Sequence, residues 1–89
     1  MSAATLPERL TQAEAADCLA QLEAGLRDSG PVWTVDAGAL ADFDSAALAV
    51  LLALRRRAGA AGATLALRQV PPRLQELVAL YGVGELLPA

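Results

Sequence analysis

The residues with the most chemical potential in this chain form one short run, Phe43-Asp44-Ser45-Ala46-Ala47-Leu48. It leads from turn-forming residues into a long apolar stretch. A serine where a loop becomes a helix reads first as an N-cap, its hydroxyl satisfying an amide of the first turn. The same position suits an anion, because free amides and the positive end of the helix dipole converge there. A phosphate on Ser45 would place about −1.5 to −2 charges at that terminus. Ala46 and Ala47 are small, so another protein could approach closely. On these physical facts alone, a plain N-cap before a buried helix is the simpler reading.

Other candidates point to structure rather than chemistry. Asp42 and Asp44 are two residues apart, and paired carboxylates can do acid–base work. Turn and helix-cap roles explain them with fewer assumptions. The chain has no His to serve as a general base, and no Lys for Schiff-base or phosphate chemistry. It carries no phosphate-binding loop, no GxGxxG and no Cys/His metal spacing. No catalytic residue, cofactor or metal site is therefore expected. Cys18 is the single cysteine. With Asp17 as its nearest charge in sequence it reads as a small core residue, not a reactive thiol. Arg55-Arg56-Arg57 is the one basic cluster. In the C-terminal half of a helix, cations complement the macrodipole. Contact with anionic lipid or an acidic partner is the functional alternative, and these arginines are not expected to be a main membrane anchor. Trp33 could be core or an exposed anchor, and the sequence does not decide.

Composition narrows the class. The 89 residues are 55% hydrophobic and 19% charged, which excludes disorder and predicts a single domain over residues 1–89. A net charge of −3 argues against a nucleic-acid partner. One cysteine fits a reducing compartment. The longest apolar run, Ala46 to Leu54, ends at Arg55, well short of the roughly 20 residues a bilayer span needs. The N-terminal residues show no basic region followed by an apolar one, so no signal peptide is expected.

The elements that must position Ser45 follow from periodicity. Ala3 to Leu6 is a short strand candidate, with room for only one strand before Thr11. Thr11-Gln12-Ala13-Glu14 fits a capping box, in which the Thr11 hydroxyl accepts the Glu14 amide proton and the Glu14 carboxylate reaches back to the Thr11 amide. Ala15, Leu19, Leu22 and Leu26 have helical spacing, with Cys18 on the same flank and Gly30-Pro31 as the stop. Val32 to Asp36 is a strand, and Ala37 to Phe43 a loop. Ser45 to Ala60 is a helix; its segment Ala46 to Leu54 is apolar on every side, which implies burial on more than one face or a face awaiting a partner. Thr64 to Val70 is a second strand, and Pro71-Pro72 opens a last helix bearing Leu74, Leu77, Val78 and Tyr81. Gly82 and Val83 suit its C-terminal cap. Alternating strands and helices predict an α/β layer with parallel pairing. The expected core is Leu19, Leu22, Leu26, Val35, Leu48, Leu51, Leu52, Leu65, Leu67, Leu74, Leu77 and Val78.

From Phe43 to Pro88, with its Asp-Ser followed by small residues and Leu at the head of an apolar helix, then a Gly-containing turn, a strand and a helix ending near Gly, the chain resembles the STAS domains, the anti-sigma-factor antagonists and their relatives. The ending Leu77-Val78-Ala79-Leu80-Tyr81-Gly82 through Leu87-Pro88 is most like the MlaB-like branch, whose members serve phospholipid-transport ABC systems. The resemblance implies a small STAS-like α/β domain, with a three- or four-stranded sheet covered by about three helices and a shortened N-terminal hairpin. It implies a non-enzymatic accessory subunit in the cytoplasm, peripheral to the inner membrane through its partner, the ATPase subunit of the transporter. Asp44, Ser45, Ala46, Ala47 and Leu48 would be the partner-binding residues. The alternative it implies is an anti-sigma-factor antagonist whose partner is an anti-sigma factor kinase, switched by phosphorylation of Ser45. Ala46 and Ala47 depart from the Ser and Gly common at these positions in antagonists.

Overall fold

The computed structural model describes residues 3–27 and 30–80. Five strands and three helices follow one another: β1 (Ala3–Thr5), β2 (Arg9–Leu10), α1 (Ala15–Leu26), β3 (Val32–Asp36), β4 (Asp42–Phe43), α2 (Ser45–Ala60), β5 (Thr64–Arg68) and α3 (Pro72–Leu80). The helix expected at Ser45 to Ala60 and the strand expected at Val32 to Asp36 have those bounds. The expected Tyr81 position on the last helix and the Gly82–Val83 cap lie outside the described residues.

The strands β1, β3 and β5 form one parallel sheet in that order. Both crossovers step the same way across it, so crossovers of one hand put α1 and α2 on the same face. Burial agrees: Trp33, Val35 and Leu65 are buried, while Val32 keeps 47% of its surface exposed and Thr64 and Arg68 face solvent. Trp33, undecided from sequence, is a core residue at 2% exposure.

The stretch before Thr11 holds two strands, not one. β1 and β2 do not pair with each other: β1 joins β3, and β2 pairs in parallel with β4. The expected loop from Ala37 to Phe43 thus ends in a strand. Two residues are too few to show a period in sequence, and here the pairing is made by partners: the Glu8 carbonyl accepts from the Ala41 and Asp42 amides at 2.8 and 3.0 Å, and Leu10 and Phe43 are buried side by side in register.

The turn into α1 keeps half of the expected capping box. The Glu14 carboxylate accepts from the Thr11 amide at 2.8 Å. The Thr11 hydroxyl, however, donates to that carboxylate at 2.7 Å instead of accepting the Glu14 amide, which bonds the Thr11 carbonyl at 3.0 Å. The helix accordingly starts one turn late, at Ala15. These Thr11 hydrogen bonds, then the nearby Arg9 guanidinium, hold the Glu14 carboxyl below its ordinary range.

The core is aliphatic, and among the described residues no polar or charged side chain is buried. α2 supplies Ala47, Leu48, Val50, Leu51, Leu54 and Ala58 to it. This helix packs against α1, β5 and α3. These neighbours cover its inner side over Ala46 to Leu54, while Ala49 is exposed and Ala46, Leu52 and Ala53 are half-buried. Leu19, Leu52, Leu67 and Leu77, expected inside, are half-buried at the margin. Leu6, Leu10, Leu40 and Phe43 take the interior instead, carried there by the short strands and loops that periodicity could not read. Past α2, Gly62 at φ +75° turns the chain, and the Ala63 amide returns to the Ala58 carbonyl at 2.7 Å.

Two outcomes follow. Trp33→Ala removes the largest core side chain and costs about 3–5 kcal/mol, a large fraction of the roughly 5–15 kcal/mol typical of a small domain; urea unfolding followed by far-UV circular dichroism checks it. Glu14→Gln lowers the melting temperature near neutral pH. Because folding depresses the Glu14 pKa, its stabilisation is complete above the ordinary carboxylate range and is lost as pH falls through the depressed value. The gap between the melting temperatures of the Glu14→Gln variant and the parent therefore closes in acid, and melts across a pH series measure it.

Candidate partner-binding site

Ser45 is the first helical residue of α2, and Asp44 is its cap. The expectation that Ser45 itself caps the helix is corrected on geometry. Asp44 has the extended backbone a cap requires, φ −127° and ψ −164°. Its carboxylate accepts from the Ala46 amide at 2.8 Å. Ser45 is released from that duty: its hydroxyl is exposed and makes no hydrogen bond within the described residues.

Of the five residues expected to meet a partner, three reach the surface. Asp44 and Ser45 are exposed and Ala46 is half-buried, whereas Ala47 and Leu48 are turned into the core at 0% and 4% exposure. Ala47 and Leu48 are thus corrected from contact residues to the packing beneath the site. The helical period decides this, since Ala47, Leu51, Leu54 and Ala58 recur on the inward stripe.

The structure adds residues from α3 that sequence spacing did not join to Ser45. An open groove of about 390 Å³ lies between the head of α2 and α3, lined by Asp44, Ser45, Arg73, Glu76, Leu77 and Leu80 over the Phe43 ring. Leu80 is 77% exposed, an apolar side chain on the rim. The Arg73 guanidinium sits 5.3 Å from the Phe43 ring centroid, tying α3 to β4. The groove thus offers a hydroxyl, a cation, two carboxylates and aliphatic surface. Leu77 and Leu80 carried a helical pattern in the sequence, but nothing there placed them beside Ser45.

The loop before this groove is clamped from behind. The Asp36 carboxylate accepts from the Gly38 amide at 2.7 Å and from the Gln69 side chain at 3.2 Å. A Cβ on Gly38 would stand 2.8 Å from the Gln69 side-chain oxygen and 3.0 Å from the Asp36 carboxylate, so a larger residue would push this contact apart. Gln69 holds the left-handed backbone at φ 54°, an uncommon state for its type. These contacts join the ends of β3 and β5 and fix where the chain enters β4.

The remaining candidates have structural roles. Asp42 pairs with Arg9 across the β2–β4 ladder at 3.7 Å. Cys18 is buried, and desolvation pushes its thiol up, away from the reactive thiolate. Arg55, Arg56 and Arg57 are exposed, and Arg57 pairs with Glu23 on α1. Among the described residues no group of acidic, His or Cys side chains could hold a metal ion, and no helix is long and apolar enough to cross a membrane.

A family profile described as the MlaB, STAS domain matches residues 3–88. The chain therefore belongs to the MlaB-type STAS domain family, whose fold is the small α/β arrangement described above. STAS domains are generally non-catalytic binding domains, and this one has a STAS-type protein-interaction role. No curated protein matches the chain.

The capping assignment separates the two neighbours by stability. Asp44→Ala costs about 1 kcal/mol through the lost cap. Ser45→Ala changes stability by no more than about 0.5 kcal/mol, as for other surface substitutions. Urea unfolding of both variants, read by circular dichroism, distinguishes them.

Proposed function

We propose that this protein is a non-enzymatic accessory subunit that binds the cytoplasmic ATPase of an ABC-type phospholipid transport system and supports that ATPase's assembly or activity. It would sit at the inner membrane through this partner and not by inserting. The family match along residues 3–88 carries the reading. The groove supports it: a polar, unbonded Ser45 hydroxyl beside an exposed Leu80 has the make-up of a protein contact, with an apolar anchor and polar rim. The scarcity of catalytic side chains supports the non-enzymatic part, since no His or Lys is present.

One observation favours a second reading, an anti-sigma-factor antagonist phosphorylated on Ser45. The Ser45 hydroxyl is exposed at the first turn of a 16-residue helix and shares its groove with Arg73. A phosphoryl group there would meet the helix dipole and a guanidinium.

Pull-down with the transporter ATPase, alongside thermal melting, tests the first reading. Wild type and Ser45→Ala should capture the ATPase. Ser45→Asp and Ser45→Arg should melt close to wild type yet lose capture, because the added charge and bulk must be desolvated and accommodated in a close contact shaped for a hydroxyl. The isolated chain should hydrolyse no ATP. Full capture by Ser45→Arg would remove this groove from the contact. Absence of ATPase capture by wild type, with phosphate transfer to Ser45 by an anti-sigma kinase, would replace the first reading with the second.

A further inference from the structure

We propose that the outer edge of β1 and the flank of α1 form a second binding groove, which takes an extended peptide segment of a partner protein bearing a basic residue, added as a strand beside β1. The groove shares no residue with the one at Ser45, so this surface is independent of the function proposed above.

Topology supplies the free edge. Among the described residues β1 pairs with β3 and with no other strand. The chain continues this pairing as Leu6 donates its amide to the Asp36 carbonyl at 2.9 Å. Backbone groups alternate sides along a strand, so the Thr5 amide and carbonyl point away from β3. Such an edge is a template for another strand.

A helix borders that edge and makes it a groove. A cavity of about 510 Å³ opens between β1 and the flank of α1. Ala13, Asp17 and Gln21, at i, i+4 and i+8, form its outer wall, and all three are exposed. Cys18 and Leu22 form a small apolar floor. An edge strand facing a helix across a cleft of this kind can hold the backbone of an extended segment by ladder bonds, while alternate side chains dip to the floor.

Charge selects the occupant. Among the described residues that line the cleft, Arg9 is the one cation, and it is shared by Glu14 and Asp42 at 3.7 Å each. Asp17 makes no ion pair or hydrogen bond among the described residues. The flank therefore carries more carboxylate than cation and complements a Lys or Arg. It also disfavours a second copy, whose own Glu14 and Asp17 would be brought against the first.

The test is a titration of the ¹⁵N-labelled full chain with a hexapeptide of Thr and Val carrying one central Arg. Saturable amide shifts at Thr5 and along Ala13 to Gln21 support the groove. So does an affinity about fivefold lower or more when the peptide Arg is replaced by Glu, or when the protein carries Asp17→Arg, an exposed site that leaves the fold intact. Thr5→Pro, which removes the outward amide but no bond to β3, should abolish binding; should it fail to fold, Asp17→Arg decides. The proposal is overturned by no saturable shift, by shifts confined to the Ser45 groove, by equal affinity for Asp17→Arg, or by shifts at Thr5 that track protein concentration without peptide, which would make the occupant a second copy.

Discussion

The structure depends on the burial of α2. Its inward stripe of Ala47, Leu51, Leu54 and Ala58, flanked by Leu48 and Val50, meets α1, the β5 end of the sheet and α3. No buried polar network assists among the described residues, so apolar area and close packing carry the core. The small residues on this stripe let neighbouring elements approach. The Glu23–Arg57 pair at the margin of the α1–α2 contact is partly exposed, and contributes little beside the packing beneath it.

That constraint positions the candidate site. With Ala47 and Leu48 locked inside, the head of α2 is fixed, and Asp44 must close the helix from the extended residue before it. The β2–β4 pair and the Asp36–Gly38–Gln69 contacts hold the incoming chain. Ser45 is therefore presented on a rigid first turn, with its hydroxyl left unbonded. The division of labour is local: the carboxylate stabilises the helix, and the neighbouring hydroxyl is available for recognition.

The sheet imposes a different condition. Parallel sheets are usually covered on both faces. Here α1 and α2 lie on one face, and the other carries Val32, Thr64 and Arg68 in solvent. Strands of three and five residues suffice because every core-facing position of β3 is filled, by Trp33 and Val35.

Periodicity and termination signals in the sequence determined the α/β order, the bounds of β3 and α2, and the run of residues around Ser45. These are local properties: a 3.6-residue stripe, β-branched clustering, and Gly or Pro at the ends. The family resemblance was likewise carried by residues from Phe43 onward, and the match extends it along the chain. Tertiary structure alone decided the rest. The two-residue strands β2 and β4 exist because each supplies the other's partner, which no local pattern records. Asp44 rather than Ser45 became the cap because capping is set by backbone angles one residue apart, finer than composition resolves. Leu6, Leu10, Leu40 and Phe43 entered the core, while Leu19, Leu52, Leu67 and Leu77 stayed at its margin, because burial depends on which elements lie opposite. For the same reason Arg73 and Leu80, 28 and 35 residues beyond Ser45 in sequence numbering, join it in one groove only after α3 packs against α2.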